Sequence, residues 1–434
     1  MIRLAAGYIL LCLFLMGSSR LSAAEPATGL ADSTALRATV LGTPPQDVVP
    51  LPKIVPLDEI DISLPWKQPV PALYWFDARL RAWLSTQKTA APLVIVIDGT
   101  GGDGNNSKIA TLRAALYGAG YHVLTLPSPT FPGFIVSASR TGVAGDLMQD
   151  SQDLYDATRE ILARLPHRVH ITEVDVLGYS LGAANAGVMK SIDAREHKLG
   201  IHRAVLIEPP VALFAAMDRL DRLFTQSIGS SNGGLENLYR RLYTRLANLY
   251  RANDTVHIDE SDLLAAAASV LKTDADFSAA IALTFRLALV DVFLAGDLYA
   301  RTGVVIDPRH LPGPEDSLER IAATLRIKTF DDYFNQVFAP YYLRHRPGAT
   351  LDSLRAGSNL AIIGDALHGD GNYYAQTNSD DLILDRTELA WLKQQFNSRI
   401  VVYDHGGHLG NLGDRRQIAD MLVMLAGQWR GPGP

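Results

Sequence analysis

A repeated alternation of apolar runs and helical segments is the feature that most constrains the fold of this chain. Residues 92–98 (PLVIVID) form a continuous apolar run, and comparable runs follow at 121–126 (YHVLTL), 173–179 (EVDVLGY) and 202–208 (HRAVLIE). Runs of this length are typical of strands that are buried on both faces of a parallel sheet. Because segments with helical spacing separate the runs, the pattern predicts an α/β fold, with a mostly parallel sheet flanked by helices.

The alternation is interrupted once, at residues 211–358. This segment contains almost no strand-like run, and stretches such as 235–250 (LENLYRRLYTRLANLY) and 280–300 (AIALTFRLALVDVFLAGDLYA) have helical character. Strand-like runs return at 372–378 (NYYAQTN) and 398–407 (SRIVVYDHGG). An interruption of this size is comparable to a small domain, so it predicts a large helical insertion into the α/β fold.

These patterns divide the chain into four parts. Residues 71–210 and 359–434 are expected to form the α/β core, and residues 211–358 a helical insertion that covers it as a lid. Residues 25–70 are rich in Pro, Ala and Thr and are expected to form an extended N-terminal arm. Residues 1–24 combine a basic start, a short apolar run and small residues at the end, which is typical of a secretory signal peptide.

The signal-peptide prediction implies export, either to a periplasm or out of the cell. A membrane anchor that is not cleaved is the alternative, although the apolar run at residues 4–16 is short for a span of about 20 residues. Cys12, the only cysteine, lies within this run. The exported chain would therefore contain neither a disulfide nor a thiol nucleophile.

The overall composition bounds the partners. The chain of 434 residues carries a net charge of −6 and is 47% hydrophobic, which suits a globular protein with a large core. No basic stripe is present, so nucleic acid is not expected as a partner. The sequence leaves the oligomeric state open.

The end of the third apolar run carries a reactive-serine pattern. Residues 175–185 (DVLGYSLGAAN) place Ser180 between Gly178 and Gly182, after a strand and before a helix rich in small residues. This Gly-x-Ser-x-Gly context predicts a sharp strand-to-helix turn that holds Ser180 at the carboxyl edge of the sheet. The helix directs its N–H groups and positive end towards the same place, which favours developing negative charge. A serine that only caps a helix is the alternative.

A serine hydroxyl needs a base, and the base needs a carboxylate to orient it. Residues 401–412 (VVYDHGGHLGNL) offer His408 and His405, of which His408 is favoured because two glycines precede it after the last apolar strand. The candidate acids, in the order of the chain, are Asp365, Asp370, Asp380 and Asp381. Asp381 is preferred because it follows an apolar strand, and Asp380 is then a hydrogen-bonding or surface neighbour. If residues 359–363 (NLAII) formed the strand instead, Asp365 or Asp370 would be the acid.

In these three segments the chain resembles the α/β-hydrolases. The turns at 178–182 (GYSLG), 379–384 (SDDLIL) and 406–410 (GGHLG) match the catalytic segments of that family in order, and the resemblance covers residues 92–210 and 359–430. It implies the α/β-hydrolase fold, with Ser180 as nucleophile, Asp381 as acid and His408 as base.

The resemblance also implies an oxyanion hole, the pair of N–H donors that binds the charged oxygen formed during acyl transfer. Leu181 matches the position whose N–H is the first donor. Many members begin the loop after the third strand with His-Gly, whereas this chain has residues 98–102 (DGTGG). This departure leaves the source of the second donor open, and we expect it to be a backbone N–H near Thr100. Asp98 is expected to cap the loop.

Two other interpretations compete with the hydrolase. Residues 99–104 (GTGGDG) match the dinucleotide-binding pattern Gly-x-Gly-x-x-Gly, but the next strand ends in 124–130 (LTLPSPT) without the acidic residue that would bind the ribose. A glycine-rich turn close to an active site explains the same residues. An exported binding protein that keeps the fold without catalysis is the third interpretation.

Taken together, the sequence predicts a serine hydrolase that cleaves a carboxylic ester of an apolar substrate through an acyl-enzyme, without metal or cofactor. A peptidase or amidase with the same fold is the alternative. The expected partner is a small-molecule or lipid ester, which leaves contact with a membrane surface open. The insertion emerges above the carboxyl edge of the sheet and is expected to cover the site, with its apolar residues buried mainly among its own helices.

Overall fold

The protein is described here from a computed structural model, in which residues 33–228 and 271–431 are described except Lys67, His167 and Arg326, together with Arg240 and Thr244. The signal-peptide prediction for residues 1–24 therefore lies outside the described residues. Residues 229–270 of the insertion also lie outside them, apart from Arg240 and Thr244. The strands are β1 Asp58–Ile62, β2 Leu80–Ser85, β3 Ala91–Ile97, β4 His122–Leu126, β5 Ile171–Tyr179, β6 Ile201–Ile207, β7 Tyr373–Asn378 and β8 Ile400–Tyr403.

These strands form one sheet in the order β1-β2-β4-β3-β5-β6-β7-β8. β1 pairs with β2, and β2 with β4, in antiparallel fashion, whereas the strands from β4 to β8 are parallel. The chain runs from β3 to its neighbour β4 and then crosses to β5 on the other side of β3. This reversal makes the carboxyl ends of β3 and β5 the topological switch point, where ligands bind in open α/β sheets.

Helices cover both faces of the sheet and its carboxyl edge. They are α1 Ser33–Leu41, α2 Ser107–Gly118, α3 Pro132–Ser137, α4 Leu147–Leu162, α5 Leu181–Glu196, α6 Leu213–Ile228, α7 Asp274–Ala300, α8 Glu319–Leu325, α9 Phe330–Tyr333, α10 Ala339–His345, α11 Leu351–Gly357, α12 Gly364–Gly369, α13 Arg386–Phe396 and α14 Arg415–Leu425. A π-helical turn, Phe334–Phe338, joins α9 to α10, and 3-10 turns lie at Ala72–Asp77, Leu360–Ile363 and Asn397–Arg399.

The two faces of the sheet have separate apolar cores. Residues of α4, α5 and α13 cover one face, and residues of α2 and α14 cover the other. Strand β3 contributes to both, with Leu93, Ile95 and Ile97 in the first core and Val94 and Val96 in the second. The continuous apolar run of this strand is therefore explained by burial on both sides, as the sequence predicted.

The antiparallel end of the sheet was not predicted from the sequence. β1 (DEIDI) is an edge strand in which only Ile62 is buried, and its polar composition fits this exposed position. The segment expected to be an extended arm also contains helix α1, in which Ala35 and Leu36 are buried. These elements are stabilised by contacts with distant parts of the chain, which local periodicity does not record.

The described part of the insertion packs around an aromatic cluster. Phe214 of α6 lies 4.6 Å from Phe334 and 5.2 Å from Phe338 between ring centroids, and the ring of Tyr342 lies 4.7 Å from Phe338 in a tilted arrangement. The cluster continues into the core, because Leu181 at the start of α5 belongs to the same group of buried residues. The insertion is therefore packed onto the core directly beside Ser180.

One helix of the described residues, α7, is long and apolar enough to cross a membrane by length and composition. Most of it is buried inside the protein, and its Arg286 donates to Asp221 of α6 at 2.9 Å. Near its end, Asp297 accepts hydrogen bonds from the N–H groups of Val305 and Ile306, each at 2.9 Å. These contacts identify α7 as a core helix of the insertion.

Candidate active site

The turn after β5 holds Ser180 in a backbone conformation that few residues adopt. Ser180 has φ 53° and ψ −129°, it directly precedes α5, and its side chain makes no capping hydrogen bond. A non-glycine residue with positive φ is strained, and such residues occur preferentially at functional sites. The geometry is that of a nucleophile elbow rather than of a helix cap.

The two glycines of the motif make this turn sterically feasible. A Cβ atom on Gly178 would overlap the carbonyl group of Gly182, and a Cβ atom on Gly182 would overlap the carbonyl oxygen of Ile97 at the end of β3. The glycines therefore allow α5 to begin in direct contact with β3 and β5. As a result Ser180 lies at the carboxyl edge of the sheet.

The loop after β8 brings His408 to this serine, and the loop after β7 brings Asp381 to the histidine. The Ser180 Oγ lies 3.0 Å from His408 Nε2, and His408 Nδ1 lies 3.0 Å from Asp381 Oδ1. All three side chains are buried. The partners indicate the tautomer in which Nδ1–H donates to Asp381 and Nε2 accepts from the serine hydroxyl.

The other candidates from the sequence lie elsewhere. His405 is exposed, and Asp380 accepts a hydrogen bond from the N–H of Gly407 at 2.9 Å, so this aspartate supports the turn before His408. Asp365 is exposed on α12, and Asp370 is paired with Lys190. Residues 360–363 of this segment form a 3-10 turn instead of a strand, which is why neither of these acids reaches the histidine.

A second carboxyl group, Glu208, also lies beside His408. It directly follows β6, it has φ 51° and its side chain is fully buried, with Oε2 3.5 Å from His408 Nδ1. Burial, and next the charge of Asp381, raise the pKa of Glu208 well above its usual value. In the sequence, Glu208 is the last residue of an apolar run, and no role was predicted for it. An acidic residue placed directly after an apolar strand, at the edge that carries the serine, was the signal that could have identified it.

The loop after β3 forms the opposite wall of the site. Thr100 lies in this loop and lines the same pocket as Ser180, and a Cβ atom on Gly99 would come within 3.4 Å of Ser180 Cβ. Leu181 is the first residue of α5, where N–H groups have no partner within the helix. The two residues expected to supply oxyanion donors thus lie on either side of an apolar space that both of them line.

Asp98 organises this loop from within. Its carboxylate accepts hydrogen bonds from the N–H groups of Gly99 at 2.7 Å and Gly104 at 2.8 Å, from Asn106 Nδ2 at 2.7 Å, and from the hydroxyl of Tyr179. Burial raises the pKa of Asp98 to about 6. Since the chain's own carboxylate occupies these glycine N–H groups, the loop is not arranged to bind a pyrophosphate, and the dinucleotide interpretation is not supported.

The pocket above Ser180 has a volume of about 400 Å³. Ala280, Ile281, Thr284 and Phe285 of α7 form one side of it. The opposite side carries polar groups from the loop after β3 and the start of α2, including Asn106 and Lys108. An insertion helix therefore lies over the serine and leaves a pocket with one largely apolar wall and one polar wall.

Helix α1 also lines this pocket, which the sequence did not predict. Thr39 Oγ1 accepts a hydrogen bond from the backbone N–H of His408 at 2.8 Å and donates to the carbonyl oxygen of Ala35 at 2.7 Å. A Cβ atom on Gly407 would overlap that same carbonyl oxygen. Thr39 and His408 are separated by 369 positions, so no local pattern could have linked them.

Within the described residues, two groups of acidic and histidine side chains have ligand atoms within 4.8 Å of one another: Glu173, Asp175 and His202, and Glu208, Asp381 and His408. In the first group Asp175 and Glu173 already pair with the guanidinium of Arg203. In the second, a metal ion would need the lone pair of His408 Nδ1, whereas the hydrogen bond to Asp381 uses a proton on that nitrogen. Both groups therefore fit ion pairing better than metal binding.

The strand order, the crossover at β3 and the turn at Ser180 together define the α/β-hydrolase fold. No protein-family model matches the chain, and no curated protein matches it significantly. The Pyrococcus furiosus esterase Pf2001 is similar at 11% identity, with 95% of this chain and 100% of that chain covered and a TM-score of 0.41.

Two further solved structures are similar at the same level. A putative hydrolase from Legionella pneumophila is 13% identical, with 94% of this chain and 98% of that chain covered and a TM-score of 0.45. A proline iminopeptidase from Mycobacterium smegmatis is 15% identical, with 83% and 97% covered and a TM-score of 0.37. The fold assignment rests on the sheet and the turn themselves.

Proposed function

We propose that this protein is a serine hydrolase that cleaves a carboxylic ester of an apolar substrate. The observation that carries the proposal is the continuous chain of hydrogen bonds from Ser180 through His408 to Asp381, at the floor of a pocket. A hydroxyl that donates to a buried imidazole, itself oriented by a carboxylate, is the arrangement that activates serine for acyl transfer.

In the proposed reaction Ser180 Oγ attacks the carbonyl carbon of the ester, and His408 takes the proton of the hydroxyl. The charged oxygen of the tetrahedral intermediate is bound by the backbone N–H groups of Leu181 and Thr100. His408 then gives the proton to the leaving alcohol, and the acyl group stays on Ser180. Water, activated by the same histidine, releases the acid and restores the enzyme.

Two features support an apolar substrate. One wall of the pocket comes from Ile281 and Phe285 of α7. A smaller apolar cavity of about 30 Å³ adjoins Thr100 and Leu181 and is lined by residues that include Phe214 and Met217. Because Thr100 and Leu181 line this cavity and His408 does not, we propose that it receives the first carbon atoms of the acyl chain. We likewise propose that residues 211–358 act as the lid of the site.

The test of this proposal uses Ser180→Ala with a fluorophosphonate probe and short p-nitrophenyl esters. We expect Ser180→Ala to lose about 10⁶-fold in turnover and to abolish labelling, because the nucleophile is gone. Ser191→Ala, which changes a serine further along the same helix, serves as the control and should keep both activities. Labelling that persists in Ser180→Ala would contradict the assignment of the nucleophile.

A panel of esters, thioesters and aminoacyl amides then distinguishes the classes of substrate. We expect apolar acyl esters to react fastest. If amides were cleaved faster than every ester, the protein would be a peptidase or amidase of the same fold. A wild-type protein that neither turns over any member of the panel nor reacts with the probe would instead be a binding protein.

We also propose that the protein is exported and that residues 1–24 are removed. The proposal rests on the order of basic, apolar and small residues in that segment. Intact-mass analysis of protein purified from its native source should give a chain that begins at Glu25 or at a neighbouring residue. A full-length chain recovered from the cytoplasmic fraction would contradict export.

A further inference from the structure

The imidazole of His408 faces two carboxyl groups, and only one of them has a role in the proposed reaction. Asp381 comes from the loop after β7, and Glu208 comes from the end of β6, the neighbouring strand. Their oxygen atoms and the imidazole nitrogen lie within 4.8 Å of one another. Two acids at one buried imidazole are costly to maintain, since like charges at this distance oppose each other.

Glu208 is held in place by the surroundings of the histidine. The N–H of Leu409, the residue after His408, donates to Glu208 Oε2, and Asn378 Nδ2 donates to Oε1 at 3.0 Å. Both Glu208 and Leu409 have positive φ, at 51° and 65°. Two strained residues joined by a buried hydrogen bond indicate that the surrounding structure fixes the position of Glu208, because such conformations persist only where they are over-determined.

The geometry points to Glu208 as a reserve acid for His408: a positioning residue that fixes the histidine loop and that orients the imidazole when Asp381 is neutral or absent. The inference rests on the proposed function. Glu208 Oε2 lies 3.5 Å from His408 Nδ1, compared with 3.0 Å for Asp381 Oδ1, so a shift of a few tenths of an ångström completes the hydrogen bond.

The charges around Glu208 explain why it stays in reserve. Asp381 and Asp380 face it from the loop after β7 and His408 from the loop after β8, while α14 contributes the neutral Gln417. Burial and the carboxylate of Asp381 both disfavour the ionised form of Glu208. Replacing Asp381 by asparagine removes the nearest negative charge, which lets Glu208 ionise and accept the Nδ1–H.

The test is a double-variant cycle with Asp381→Asn, Glu208→Gln and the combined variant. An asparagine in place of the acid lowers kcat by about 10⁴-fold in an enzyme that has a single acid, because the histidine takes the wrong tautomer. With Glu208 in reserve, we expect Asp381→Asn to lose about 10²-fold and the combined variant about 10⁴-fold. Glu208→Gln alone should lose less than about tenfold. Asp365→Asn serves as the control, because this aspartate is exposed on α12.

The pH profile provides a readout that a purely structural role would not change. In Asp381→Asn, activity and the rate of fluorophosphonate labelling should show an additional rise with pH as Glu208 ionises, and this additional rise should be absent from the combined variant. If Asp381→Asn alone lost as much as the combined variant, with the same pH profile, the inference would be wrong.

The outcome can be separated from the fate of the proposed function. If wild-type protein reacted with the phosphonate but cleaved no ester, the labelling rates of the four proteins would replace kcat in the double-variant comparison. If it reacted with neither, the proposed function would fail, and the coupling would be read from the unfolding free energies of the four proteins. We expect the losses of unfolding free energy in the two single variants not to add up to the loss in the combined variant, since removing one acid also removes its repulsion of the other. Strict additivity would refute the pairing of the two carboxyl groups.

Discussion

The carboxyl edge of the sheet and the helices that cover it meet around Ser180, but they are held together by different forces. At the edge, backbone groups touch at Gly178 and Gly182, and the buried carboxylate of Asp98 accepts several hydrogen bonds from its loop. The cover, formed by α1 and the insertion, is held mainly by aromatic and aliphatic packing. We therefore expect even one added methyl group at the edge to destabilise the protein, whereas the cover should tolerate the exchange of similar apolar side chains.

The largest effect is expected from filling a close backbone contact at the edge. In Gly182→Ala the new methyl group would overlap the carbonyl oxygen of Ile97, which cannot move without distorting β3, so we expect a loss of about 3 kcal/mol in unfolding free energy. Gly187→Ala is the matched control on the same helix.

At Gly187 the nearest atoms are the side chains of Leu206 and Ile363, at 3.1 and 3.2 Å, which can adjust. We expect this control to be nearly neutral, since alanine also favours the helix. Urea denaturation of both variants checks the pair. Equal losses would mean that the edge is no more rigid than the helix interior.

The next effect is a pH dependence that originates at Asp98. Burial raises its pKa from 3.8 to about 6, so between these values the folded protein holds a proton that the unfolded chain releases. Stability from this group is therefore lost as the pH rises through that window, by about 3 kcal/mol in total. Asp98→Asn removes the titrating group, and unfolding free energies measured at pH 4 and pH 6.5 should then differ less than in the wild type. An unchanged difference would show that the burial of Asp98 is not the cause.

A smaller effect is expected where the cover meets the edge, at Thr39. Thr39→Val leaves the N–H of His408 without its acceptor, which should cost about 1–2 kcal/mol and lower kcat several-fold, because the histidine loop loses a support. Thr43→Val is the matched control, since Thr43 makes the same type of bond to Gly410 and Gly413, further from the imidazole. Thermal denaturation and ester turnover would be compared for both variants. An equal loss of kcat in the two would mean that α1 acts on the whole loop and not on His408.

The smallest effect is expected at Thr100, whose hydroxyl is buried without a hydrogen-bond partner in the structure. Thr100→Val removes this hydroxyl and keeps the backbone N–H, so kcat should stay within about threefold while stability rises by up to about 1 kcal/mol. Thr377→Val, which removes another unpartnered buried hydroxyl on β7, should show the same gain in stability. Steady-state kinetics checks the first variant. A loss of tenfold or more in Thr100→Val alone would identify the hydroxyl itself as an oxyanion donor.

The sequence by itself determined the parts of this protein that depend on neighbouring residues. The apolar runs of β3 to β6 predicted parallel strands buried on both faces, and the glycines around Ser180 predicted the strained turn, since both signals lie within a few positions of one another. The preference for Asp381 and His408 followed from their places directly after β7 and β8, because the carboxyl ends of parallel strands meet at one edge of the sheet.

Only the tertiary structure decided what reaches these residues from far along the chain. The hydrogen bond from His408 to Thr39, the approach of Glu208 to the imidazole and the position of α7 over Ser180 each join segments that are far apart in the chain. Such contacts depend on how complete elements pack, and packing leaves no local period in the sequence. For the same reason the polar edge strand β1 and helix α1 were recognised only from the folded chain.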